Sequence, residues 1–196
     1  MLGCCVEADL KWHKHVDKLL AKLQMRLGAL DKLKNIIPWY SKKTIVEGIF
    51  TSVLSYCIPL FGGCDKGEIQ SLQVLQNKAA RIVTLHGART SRNKLFREVG
   101  WMTVRQLLYY HTALCTYRIR MSKEPEYLCE IMDRNNRANK IIVPNSSLSL
   151  AMRSYCFRGA NEWNKLPEKV RNFKKISHFK VQLKFWILEN VEQFDD

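Results

Sequence analysis

Apolar residues return every three or four positions along most of this chain, the period of an α-helix that buries one stripe, and the pattern breaks at proline, glycine and capping residues. Val16, Leu19, Leu20, Leu23, Leu27 and Leu30 mark the first stripe and predict a helix from about Leu10 to Ile36, with Asp9 as its N-cap and Pro38 as its end. Ser41 then caps a second helix through Ile45, Ile49, Val53 and Leu54, which stops near Pro59 and the turn at Gly62-Gly63. The two form an antiparallel hairpin. Asp65 and Glu68 have capping-box spacing ahead of Ile69, Leu72, Leu75, Ala79, Ile82 and Val83, a helix that runs up to Gly87. A short helix follows Ser91. Thr103 and Gln106 open another, with Val104, Leu107, Leu108, His111, Leu114 and Cys115 inward and Arg105, Tyr109, Arg118 and Arg120 toward the surface.

Two departures from this period set the organisation. Leu2 to Val6 suits a short buried strand, and Ile141-Ile142-Val143-Pro144 an extended segment. Beyond Pro125 a short helix leads into the polar, basic stretch Asp133 to Lys140; a helix over Arg153 to Asn164 follows, and a last one from Ser177 turns Phe179, Leu183, Trp186, Ile187 and Val191 inward. The expected architecture is mainly α with at most one or two short strands: a strand remnant over 1–8, a helical bundle over 9–122, a boundary at 123–140 and a smaller C-terminal helical unit over 141–196.

Charge changes the picture. The 196 residues carry 32 Lys plus Arg against 18 Asp plus Glu, a formal net charge of +14, while 46% are hydrophobic and five are Trp. Such a chain folds rather than remaining a disordered basic tail, and its surplus points to nucleic acid first and an anionic membrane surface second. Lys11, Lys14, Lys18, Lys22 and Arg26 recur along the first helix opposite its apolar stripe, a row of cations that fits a polyanion by releasing condensed counterions, or that simply solvates a helix face. Arg89, Arg92 and Lys94 lie in a loop that leads into a helix N-terminus, where backbone N–H groups and side chains can hold phosphate together; a capped, solvent-facing loop is the equal alternative. Arg134, Arg137 and Lys140, and then Lys169, Arg171, Lys174 and Lys175, extend the footprint or confer solubility.

Other chemistry is thin. Seven scattered cysteines in apolar helical patterns read as reduced thiols rather than a disulfide framework. His13 and His15 stand two apart on a helix and point away from each other, so they do not share a zinc ion. No nucleophile elbow or Walker-type loop occurs, and Gly62-Gly63-Cys64-Asp65-Lys66-Gly67 reads as a helix–helix turn. Trp12 and Trp39, like Trp101, Trp163 and Trp186, are assigned to core packing, with stacking on a base as the alternative for the first two. No apolar run reaches the roughly 18 residues of a membrane span, and Glu7 and Asp9 interrupt any leader, so the expected location is intracellular, nuclear or cytoplasmic.

Several segments in order carry a resemblance. Leu2-Gly3, then Leu10-Lys11-Trp12-His13-Lys14-His15 with Lys22 and Arg26, then Leu75-Gln76-Asn77-Lys78-Ala79-Ala80-Arg81-Ile82-Val83, Gly100-Trp101, Trp163-Asn164-Lys165-Leu166-Pro167 and Phe179-Lys180 resemble the region after the catalytic palm in reverse transcriptases of non-LTR, jockey-like retrotransposons. Cys4-Cys5 departs from that pattern, where β-branched residues usually stand. The resemblance implies a thumb-like helical hairpin and the region beyond it, holding an RNA template and DNA primer over a palm that lies upstream. It implies no catalysis by this chain, because the metal-binding carboxylates, and the Mg2+ they hold, belong to that palm; Gln193-Phe194-Asp195-Asp196 ends the chain with its aromatic one place too late for the catalytic turn. No cofactor is expected here. The competing readings are a helical module for a protein partner or an acidic membrane, and a transposon remnant without function.

Overall fold

Every regular element is a helix. The computed structural model describes residues 3–132, 139–190 and 194, and among them no strand occurs, so the fold is mainly α, as the periodicity predicts. By packing, the chain divides into two units, the first Met1–Cys57 with Cys64–Arg105, the second Ile58–Gly63 with Gln106–Asp196. The compositional change at 123–140 falls inside the second.

In the first unit α1 spans His13–Leu33 and buries Val16, Leu19, Leu23, Leu27 and Leu30, the predicted stripe except Leu20, which is only half-buried. It starts later than predicted. Leu10 and Trp12 adopt left-handed backbone, Trp12 is buried, and Asp9 closes a turn by accepting the Lys11 N–H at 3.1 Å instead of capping the helix. The first-turn N–H of Lys14 is taken by Glu7 at 3.0 Å, a cap supplied from seven residues upstream. Gly3 to Glu7 form no strand, in place of the one expected there: the Cys5 N–H goes to His15 Nδ1 at 3.4 Å, a side chain and not a neighbouring strand (Leu2 lies outside the described residues).

The return leg is α2 (Trp39–Val46), a π-turn (Glu47–Thr51) and α3 (Ser52–Leu54). Pro38 supplies the N-cap position, so Ser41 lies within the first turn, where its N–H bonds the Pro38 carbonyl at 3.0 Å. This leg runs antiparallel to α1, since Arg26 reaches Ile49 while Lys18 and Lys22 share a groove with Ser52 and Tyr56. Then α5 (Lys66–Thr84) opens with the predicted capping box and buries Leu72, Leu75, Ala79 and Ile82, ending where Leu85 turns left-handed. It lies parallel to α1: His13 meets Asp65 and Glu68 at one end, and Leu27 and Gly28 share a groove with Leu75 and Ile82 further along. The short helix predicted after Ser91 is α6 (Arg92–Val99), with Ser91 at its N-cap position. Two buried amides tie α5 to the segment beyond α6, Gln76 donating to the Met102 carbonyl and Gln73 accepting the Val104 N–H, both at 2.9 Å.

The second unit contains α4 (Ile58–Phe61), most of α7 (Val104–Ser122), α8 (Glu126–Met132), α9 (Ser149–Arg153), α10 (Tyr155–Lys165), α11 (Glu168–Arg171) and α12 (Ile176–Glu189). Its centre is aromatic: Tyr117 stacks on Phe179 with centroids 4.2 Å apart, and the Trp163 ring lies 5.9 Å from that of Phe179. Ile141 is extended and pairs with a side chain instead of a strand, the Asn164 amide both accepting from its N–H at 2.9 Å and donating to its carbonyl at 2.7 Å. Gly63 is required by close approach, for a Cβ there would come within 2.7 Å of the Arg153 backbone carbonyl. Tyr109, expected at the surface, is 5% exposed, its hydroxyl donating to the Glu162 carbonyl at 2.7 Å; an amphipathic pattern on one helix gives no notice of a second layer, here α10 and α12, against its far side. Val191, Gln193, Asp195 and Asp196 lie outside the described residues, while Phe194 packs on Tyr109 and Trp186.

Candidate nucleic-acid interface

The row of cations begins one step short of the helix. Lys11 precedes α1 and its Nζ lies 3.8 Å from Asp9, both side chains exposed. Lys14, Lys18 and Lys22 are exposed on α1 and form no ion pair among the described residues. Residues four apart precess by about 40° around a helix. By Arg26 the row has therefore turned onto the flank that faces the return leg, and the Arg26 guanidinium donates to the Ile49 carbonyl in the π-turn, where regular i→i+4 bonding is interrupted. Arg26 is thus a structural tie, and three lysines remain turned outward.

Lys18 and Lys22 border a groove of about 420 Å³ whose other wall includes Ser52 and the half-exposed Tyr56. Nothing local marks Tyr56 in the sequence, because it stands in the apolar run Val53 to Cys57 with no signal that its ring faces out. The groove's neighbours are chemically quiet. Lys18 Nζ lies 3.1 Å from Cys5 Sγ; burial and the adjacent Cys57 push the Cys4 thiol up to about 11, so it is protonated at neutral pH. Burial, reinforced by the Lys18 charge, lowers the His15 pKa and keeps that imidazole neutral. All seven cysteines are free thiols.

His13 points elsewhere, as its spacing from His15 predicts. Its Nδ1 lies 2.6 Å from Glu68 Oε1 and its Nε2 3.7 Å from Asp65 Oδ2. One ligand atom from each of the three comes within 4.8 Å of the others, but both ring nitrogens face carboxylates, the geometry of a clamped imidazolium. The hydrogen bond to Glu68, then its charge, raises the His13 pKa.

Arg89, Arg92 and Lys94 are not brought to this groove. Their loop follows α5, and its Ala88 borders the C-terminal half of α1 beside Lys34 and Asn35, at the end of α1 away from Lys14. Lys94 edges a depression of about 510 Å³ with Ser91, Asn93, Arg97 and Glu98; Arg89 is exposed and Arg92 half-buried. Arg171 is buried, its guanidinium donating to the Asn164 carbonyl at 3.2 Å, whereas Lys140, Lys169, Lys174 and Lys175 are exposed; Arg134 and Arg137 lie outside the described residues.

The tryptophans divide. Trp12, Trp101 and Trp163 are buried and Trp186 is half-buried, but Trp39 is 82% exposed at the turn between α1 and α2, beside Ile36 and Tyr40, correcting its assignment to the core. It lies one residue past the helix-breaking Pro38, its ring meeting that of Tyr40 edge-on with centroids 6.0 Å apart.

No protein-family model matches the chain, and no match was found among curated proteins or solved structures. Among the described residues no helix is long and apolar enough to cross a membrane.

Proposed function

We propose that the first unit grips the sugar–phosphate backbone of a nucleic-acid duplex, without reading its sequence, and that in the context of a retrotransposon polymerase the duplex is RNA template with DNA primer. The observation that carries this reading is the ridge of Lys14, Lys18 and Lys22, outward on a rigid helix, free of carboxylate partners among the described residues and bordering a groove with Ser52 and Tyr56. A helix holds its cations at fixed spacing, so several phosphates are met at once with little ordering cost. The order of segments that resemble the post-palm region supports the choice of duplex. In this reading the chain binds and does not polymerise, and it uses no cofactor of its own.

Replacing Lys14, Lys18 and Lys22 together by Gln should weaken binding to an RNA–DNA duplex and lower the slope of log affinity against log salt by about 0.9 per lysine that meets a phosphate. A filter-binding titration over a salt series measures both. Unchanged affinity and slope would remove the ridge from the mechanism.

A second reading rests on the tip, where Ile36, Trp39 and Tyr40 are all more than half exposed, an apolar surface suited to a protein partner or an acidic membrane. Saturable binding that survives high salt would favour it over the duplex.

A further inference from the structure

On the other flank of α1, away from the groove at Lys18, a cleft of about 670 Å³ opens between α1 and α5. Leu27, Leu75 and Ile82 line it with apolar surface, and Lys78 and Arg81 stand at its wall. Its volume falls in the range of small-molecule sites. Gly28 faces it from the middle of α1, where glycine costs a helix about 1 kcal/mol relative to alanine. No backbone demand explains that glycine: it is helical, and a Cβ built on it meets nothing within 4 Å. What glycine provides there is room. The Nε of Arg81 is buried beside the cleft without a hydrogen-bond partner among the described residues, although its Nη2 is held by the Ala88 and Thr90 carbonyls.

We propose that this cleft seats an unpaired nucleotide of the strand held on the α1 ridge. The proposal rests on the duplex-binding reading and adds a second contact to it. A nucleotide presents a flat, largely apolar ring with hydrogen-bonding edges and an attached phosphate. The cleft presents aliphatic walls, the side-chain amides of Gln24 and Asn35, each with donors and an acceptor, and the cations of Lys78 and Arg81. An acyl chain would match the walls and engage neither the amides nor, along its length, the cations. The outer lip at Gly28 is about 40° around the helix from the line of Lys14 and a step of fourteen residues, about 21 Å, along it, so a single strand leaving the ridge crosses exposed helix surface to reach it.

Gly28→Leu plugs the cleft from a position where the added side chain meets no neighbour at its Cβ and helix propensity rises, so the protein keeps its fold, which a thermal melt verifies. The experiment compares an RNA–DNA duplex with blunt ends and the same duplex carrying an oligothymidine overhang, titrated against the unsubstituted chain and Gly28→Leu. The overhang should tighten binding about tenfold, the gain from taking one ring's apolar face out of water, and Gly28→Leu should abolish that gain while leaving blunt-duplex affinity unchanged. Lys78→Gln should reduce the gain and make the remainder less sensitive to salt than in the unsubstituted chain. Blunt-duplex binding with no overhang gain, or with a gain that Gly28→Leu leaves intact, overturns the cleft and spares the ridge. No binding to either duplex overturns the reading on which the cleft depends. Displacement of the overhang by dodecyl phosphate at the same concentration as a thymidine oligonucleotide overturns the assignment to a nucleotide.

Discussion

Glu162 shows how much one side chain can depend on layers the sequence does not display. It sits on α10 with Oε2 buried, and burial, only partly offset by Arg158, the Thr112 hydroxyl and Lys165, raises its carboxyl pKa to about 7. The folded state therefore holds a proton that the unfolded chain releases near 4.5, so stability is greatest below that value and declines as pH rises toward 7. Glu162→Gln should leave the melting temperature unchanged at pH 4 and raise it at pH 8, with up to about 3 kcal/mol at stake for a shift of this size. Equal melting temperatures for the two chains at pH 8 would contradict the burial argument. Periodicity places Tyr109 outside for the same reason that it says nothing of Glu162: both answer to a second layer packed on the first. Trp12 and Trp39 make the point differently. Each flanks an end of α1 in the sequence, yet one is 5% and the other 82% exposed, a difference made by neighbours distant in the chain.

At the scale of the element, local chemistry was legible and long-range chemistry was not. The capping box of α5 needs only Asp65 and Glu68 three residues apart, and it forms as their spacing predicts. Asp65→Ala should cost about 1 kcal/mol in a denaturant melt, the usual loss for an N-cap. The same two carboxylates hold His13, whose raised pKa means that the clamp is complete in acid and released as pH climbs through and beyond the ordinary histidine range, so His13→Gln should flatten that part of the stability profile. By contrast, the start of α1 is set by Glu7 from outside the helix and by burial of Trp12, and the π-turn is matched to Arg26 across the hairpin; neither leaves a mark within its own segment.

For the whole molecule, the excess of cations was plain from composition, but its distribution was not. Five cations in sequence register become three lysines facing out, one paired residue ahead of the helix and one arginine engaged by the π-turn, with Arg89, Arg92 and Lys94 outside the groove that Lys18 and Lys22 border. A net charge of +14 and a ridge proposed to meet only phosphates imply that a blunt duplex is bound without regard to its sequence. Duplexes of unrelated sequence and equal length should therefore compete equally for binding, and a competitor stronger than the rest by tenfold or more, on the order of one good base contact, would contradict backbone recognition.

The side-by-side, same-direction alignment of α1 and α5 has an electrical consequence. Two helices in parallel present their positive poles at one end of the unit, and the carboxylates of Glu7, Asp65 and Glu68 gather at that end, where they temper a field that would otherwise strain against His13 and Lys14. The first unit is thereby polarised lengthwise, with its strongest local compensation built into the helix starts and Lys18 and Lys22 standing clear of it one and two turns further along.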